Sequence, residues 1–80
     1  RDLFVEISKN QLTYRAERSK SVENISFSNI KNLQKKDGKI ILITNSLTEL
    51  IIVDFNKARI RDDKRKSITK SILELNYDNS

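Results

Sequence analysis

Six cations crowd one stretch of ten residues: Lys57, Arg59, Arg61, Lys64, Arg65 and Lys66, interrupted by Asp62 and Asp63, carry a net charge of +4. Such a cluster can hold phosphate groups or an acidic protein segment, because ammonium and guanidinium groups donate to anionic oxygens from several directions. The plainer reading is a solvated first helical turn in which Asp62 and Asp63 offset their neighbours. Lys35, Lys36 and Lys39 flank Asp37-Gly38, where solvated lysines are a normal way to end a hairpin and protect it from edge pairing. Other chemistry is scarce. Asp62 and Asp63 are adjacent, and neighbours on a helix start point in different directions. Asp37-Gly38 lacks the further acidic residues and spacing of a calcium loop. The sequence contains no Cys and no His, which excludes disulfides, thiolate nucleophiles, imidazole acids and bases, and zinc sites of the usual kinds. The expectation is a non-catalytic module with no metal and no cofactor.

A nucleic-acid partner, the alternative use of the basic patch at 57–66, normally also requires a platform of aromatics for base stacking or a basic recognition helix. The aromatics are Phe4, Tyr14, Phe27, Phe55 and Tyr77. The three Phe stand in apolar surroundings and read as core, while Tyr14 reads as a half-buried strand residue. Beyond Arg65 and Lys66 the expected helix carries only Lys70 as a further cation. Protein or an acidic membrane surface is therefore the better-supported partner class.

Behind these side chains stands one small domain, residues 1–80. A chain of 80 residues buries about 60% of its unfolded surface and has room for one core. Leu, Ile, Val and Phe make up 25 of the 80 residues, above the roughly 20% below which charged chains stay disordered, so the chain should fold. Sixteen Lys and Arg against eleven Asp and Glu give a net charge of +5, which permits nucleic acid, acidic headgroups or an acidic protein as partner without choosing among them. No apolar stretch approaches the 18 or so residues of a membrane span. The chain begins at Arg1 and contains no Met, and is expected to be a fragment of a longer protein. The expected location is cytoplasmic, at the inner face of the membrane if an upstream segment tethers it there.

Alternation and turn residues predict strands near 3–8, 11–16, 22–27, 31–36, 39–44 and 49–54. Asp37-Gly38 between two apolar runs is a strong hairpin signal, since both central residues of a type I′ turn need positive φ. Taking them as the turn sets Lys36 opposite Lys39, Leu33 opposite Leu42 and Asn32 opposite Ile43. Leu33, Ile40 and Leu42 then share one face, and Ile30, Ile41 and Ile43 the other. Ile68, Ile72 and Leu75 recur at helical spacing, predicting a helix over about 62–76 with Asp62 or Asp63 as its N-cap, followed by a frayed tail from Tyr77.

Two consecutive runs, Ile40 to Ile43 and Leu50 to Val53, are apolar on both faces, whereas an antiparallel meander normally leaves one face polar. Ile41, Ile43, Ile51 and Val53 are the expected interface for self-association or a protein partner. Because the register does not say which alternation points inward, the fallback set is Ile40, Leu42, Leu50 and Ile52. Cover by loops or by a missing N-terminal portion is the plainer alternative.

An order of antiparallel strands closed by one amphipathic helix resembles the pleckstrin-homology-like (PH-like) domains of bacteria. The segment Ile7-Ser8-Lys9-Asn10-Gln11-Leu12-Thr13-Tyr14 is similar to that family's early hairpin, and Ile25-Ser26-Phe27-Ser28-Asn29-Ile30 to its aromatic-then-Ile kink. The resemblance covers about residues 3–76 and rests on hydrophobic pattern. It implies a bent antiparallel sheet or half-barrel capped by the helix, and a role in binding a protein partner or supporting a membrane-associated assembly. Five or six strands stand where the full fold has seven. The loop with which some eukaryotic relatives grip phosphoinositides is here little more than Lys9-Asn10, so that mode of binding is not implied.

Overall fold

The computed structural model describes residues 4–17 and 19–75. It is mainly β, with six strands and one C-terminal helix: β1 (Phe4–Ile7), β2 (Gln11–Arg15), β3 (Glu23–Ser26), β4 (Ile30–Lys36), β5 (Lys39–Thr44), β6 (Glu49–Asp54) and α1 (Asp62–Leu73). Two three-stranded antiparallel sheets form, ordered β1-β2-β3 and β4-β5-β6. The expected strands all appear, with ends displaced by at most a residue or two. The helix stops at Leu73, and Asn76, Tyr77 and the expected tail lie outside the described residues.

The strands follow from side-chain alternation. In β2, Leu12 and Tyr14 point inward while Gln11, Thr13 and Arg15 do not, and on the far face Thr13 Oγ1 donates to Asn24 Oδ1 on β3 at 2.6 Å. Tyr14 is buried rather than half-buried. At the corner between the sheets the chain makes a single 3-10 turn over Phe27–Asn29, with Ser26 Oγ accepting from Ser28 N. Phe27 N donates to Asn10 O and Asn45 N to Asn29 O, so turns from both sheets clamp the corner. The core between the sheets is built from Leu12, Tyr14, Ile25 and Phe27 on one side and Ile40, Leu42, Ile52 and Val53 on the other.

The Asp37-Gly38 hairpin forms with the expected register, Lys36 opposite Lys39 and Leu33 opposite Leu42. Asp37 and Gly38 take φ of 55° and 76°. The turn is held from outside: Asn56 Nδ2 donates to Asp37 O at 2.9 Å and Phe55 N to Gly38 O at 2.9 Å. A Cβ on Gly38 would lie 2.7 Å from Asn56 Oδ1. Left-handed backbone costs a non-glycine residue about 1–2 kcal/mol, and the Asn56 clamp must also give way. Gly38→Ala is expected to destabilise the domain by about 2 kcal/mol, seen as a lower urea midpoint at unchanged denaturant slope.

Two bulges decide what the hydrophobic runs do. Ile30 faces Thr44 but Asn32 faces Ile43, which leaves Lys31 as an extra residue, and Ile40 faces Val53 but Ile41 faces Ile51, which leaves Ile52 extra. An inserted residue shifts the alternation beyond it. Ile30 is therefore buried on the core side with Leu42 and Ile40, a correction to its expected place beside Ile41 and Ile43. In β6, Ile52, Val53 and Asp54 are all buried in succession, so the unbroken apolar run is the signature of a bulge. The cap of α1 also differs. Arg61 is the N-cap and makes no side-chain cap bond, while Asp62 and Asp63 lie in the first turn, where their charge suits the helix dipole. Ile72 is the residue α1 buries in the core, and Ile68 packs against it.

Candidate functional site

The segment between β6 and α1 and the first turn of α1 distribute the six expected cations in different directions. Arg59 and Arg61 are exposed and Ile60 between them is half-buried, as alternation in an extended linker requires. Lys64 lies one helical turn before Ile68 on the same face. These elements meet the start of β1 in a cleft of about 570 Å³, where the described residues give Phe4, Val5, Ile60 and Ile68 as apolar lining and Arg59, Arg61 and Lys64 as charged rim. Phe4 is 38% exposed, a correction to its expected place in the core. Phe27 and Phe55 are core as expected. Phe4 and Val5 are adjacent in a strand, so one of them had to face away from the core, and that is the sequence signal for the cleft.

The other cations are engaged elsewhere. Lys57 Nζ lies 3.4 Å from Glu17 Oε2, with the lysine side chain 60% exposed and the glutamate 14%, and so turns towards the loop after β2. Arg65 is half-buried. Its Nε donates to Ile60 O at 3.0 Å and its guanidinium stands 5.8 Å above the Phe55 ring, which ties the linker to the helix. Lys66 joins Lys35 and Lys70 around a separate depression of about 330 Å³ that also contains Asp62. Arg61 contacts Asp63 Oδ2 at 3.3 Å with both side chains largely solvated, an arrangement worth little on its own. The linear cluster is thus dispersed in space, and Arg59, Arg61 and Lys64 are the three that share one cleft with Phe4, Val5, Ile60 and Ile68.

The expected interface set is also rearranged. Val53 is fully buried, a correction that removes it from any docking face. Ile41 and Ile43 are half-buried and Ile51 is 45% exposed. Asn32, Gln34 and Glu49 stand beside them in the ladder, so the outward apolar patch is three side chains bordered by polar ones. In the fallback set Ile40, Leu42 and Ile52 are fully buried and Leu50 is half-buried: that set points inward.

Among the described residues, Glu17 and Tyr14 have acid–base environments that depart from the ordinary. The Ser19 hydroxyl, donating to Glu17 Oε1 at 2.9 Å, together with Lys57 and Lys20 holds the Glu17 carboxyl below its usual value against the opposing cost of desolvation. Burial, helped by the Glu23 charge, pushes the Tyr14 hydroxyl up. A carboxyl with a depressed folded pKa contributes stability that is present above its unfolded pKa and lost as pH falls through the folded one. Glu17→Gln is accordingly expected to destabilise near neutral pH, with the difference from the parent chain vanishing in acid. Urea midpoints of both chains across pH check this.

Among the described residues no helix is long and apolar enough to cross a membrane. No protein-family model, curated protein or solved structure matches the chain, so the fold and the geometry of the cleft carry the functional argument.

Proposed function

We propose that this chain is a PH-like, non-catalytic interaction module that holds an acidic protein segment in the cleft between β1 and α1, and that it serves an assembly at the cytoplasmic face of a membrane. The observation behind this reading is the pairing of Phe4, Ile60 and Ile68 with a rim of Arg59, Arg61 and Lys64. Apolar lining gives a peptide side chain something to displace water from. The three cations give selectivity for carboxylates and raise the rate of encounter. Among the described residues only Arg61 of the three has a carboxylate at salt-bridge distance, and that pair is exposed, so the charges remain usable by a ligand. A run of phosphates along a nucleic-acid backbone has no use for the apolar lining, and the basic row it would follow is broken where Lys57 and Arg65 turn away. Two three-stranded antiparallel sheets closed by one C-terminal helix support the PH-like reading, one strand short of the full fold.

The test is fluorescence anisotropy at low salt with four probes: a labelled peptide alternating glutamate with leucine, acidic liposomes, a generic duplex and a single strand. Saturable peptide binding at tens of micromolar, with NMR shifts at Phe4, Ile60 and Ile68, is expected. Tighter binding to the duplex with a slope of about 0.9 log units per phosphate neutralised would replace this reading with nucleic-acid binding. Binding to liposomes alone would replace it with direct attachment to the membrane surface.

A further inference from the structure

We propose that the depression between the end of β4 and α1 is a second binding site, which takes the phosphate group of a phosphate monoester. The inference is independent of the cleft beside β1. The depression, of about 330 Å³, is lined by Lys35 from β4 and by Lys66, Thr69 and Lys70 from α1, so its donors arrive from two elements that are far apart in the chain. Its volume lies at the small end of ligand pockets, enough for a phosphate and a short organic body.

Local rules aim these side chains at one place. Lys35 follows Leu33 by two residues and stands opposite Ile40. Leu33 packs against the core and Ile40 is fully buried, so alternation puts Lys35 on the same inward side, at the end of the sheet where α1 lies against β4. Lys36 and Lys39 pair with each other on the other face, and of the three lysines around the turn only Lys35 lines the depression. Lys66 and Lys70 are one helical turn apart, and Thr69 neighbours Lys66 at the three-residue spacing. Ile72 enters the core and Ile68 packs against it, which leaves Lys66 and Lys70 on the exposed flank of the helix and Thr69, half-buried, at the boundary.

The donors are unspent. Among the described residues none of Lys35, Lys66 and Lys70 has a carboxylate at salt-bridge distance, and Thr69 Oγ1 has no hydrogen-bond partner. Like charges one turn apart on a helix repel, and Lys35 adds a third from the facing strand. Against them the lining sets one carboxylate, Asp62, while Arg65, the remaining cation, is turned to Ile60 O and Phe55 O and acts as a fixed positive background. A phosphate monoester carries close to two negative charges at neutral pH and presents three acceptor oxygens, which suits three ammonium groups and a hydroxyl that reach it from two sides. Lysine holds phosphate as a point charge and does not need the planar geometry that arginine imposes. A carboxylate offers a single charge in one plane, and the diester of a nucleic-acid backbone offers a single charge with two of its oxygens esterified, so both use these donors less fully.

The probes are glycerol 3-phosphate, titrated into the full chain at constant ionic strength against chloride and followed by NMR, and phosphatidylcholine vesicles containing phosphatidic acid. Saturable shifts at Lys35, Lys66, Thr69 and Lys70 are expected in the millimolar range. Lys66→Ala with Lys70→Ala should weaken glycerol 3-phosphate about tenfold or more, without lowering the thermal midpoint, since both side chains are exposed. Thr69→Val, which keeps every charge, should weaken it about fivefold through the lost hydrogen bond. Retention of the chain on the vesicles, lost in the double lysine variant, makes a lipid headgroup the source of the phosphate; saturation by glycerol 3-phosphate without retention makes it a soluble ester. Both variants should still bind the acidic peptide at the cleft beside β1, which separates failure of this proposal from failure of the other. Shifts spread over lysines all round the chain, the same shifts with chloride, or undiminished affinity for glycerol 3-phosphate in either variant overturns the inference.

Discussion

Replacing Ile72 with alanine is expected to lower the unfolding free energy by about 3 kcal/mol. Ile72 is fully buried and is the residue through which α1 enters the core between the sheets. A helix of 12 residues is marginal alone in water, so its order depends on that docking. A domain of this size has a total stability of roughly 4–12 kcal/mol, and the substitution removes a large share of it. Urea unfolding followed by far-ultraviolet circular dichroism measures the change. A loss below about 1 kcal/mol would mean that the site collapses around the smaller side chain or that the helix is not seated as described. A reduced denaturant slope would mean instead that α1 detaches before the sheets unfold.

Reversing the charge of the cleft rim should have the largest effect on binding. Arg59→Glu with Lys64→Glu is expected to weaken the acidic peptide about thirtyfold at low salt, because two attractive contacts become repulsive at once. Both side chains are exposed and lie on the rim, so stability should stay within about 0.5 kcal/mol. The difference should shrink as salt rises, since exposed charges are screened over about 10 Å at 0.1 M. Two single variants complete the test. Lys57→Glu, which faces Glu17 on another side of the chain, should leave peptide affinity nearly unchanged. Arg65→Ala should lower stability through loss of its contacts to Ile60 O and the Phe55 ring while the folded fraction still binds. Equal losses of affinity from all three would point to net charge rather than to the cleft.

The fold was legible to the extent that local rules govern it. Asp37-Gly38 sets the β4–β5 register because positive φ at two successive positions admits few residue types, and the observed pairing follows from counting outward from that turn. The expected cleft residues were legible as types but not as a group. Arg59, Arg61 and Lys64 stood out by charge, yet Lys57, Arg65 and Lys66 stood out equally, and nothing along the chain separates a cation on a rim from one folded against a carbonyl. Phe4 was missed because an aromatic in an apolar strand reads as core unless the neighbouring Val5 is given the inward position.

From the sequence alone came the mainly β class, the positions of the six strands along the chain, the C-terminal helix and the absence of thiol and imidazole chemistry, since each depends on residue identity or on spacing of a few positions. The tertiary structure alone decided which face of β5 and β6 points inward, because the bulges at Lys31 and Ile52 shift an alternation that is otherwise apolar on both sides. It alone brought Phe4 beside Ile60 and Lys64. Residues that far apart in the chain share no local signal, and only the closing of two sheets and a helix around one core places them together.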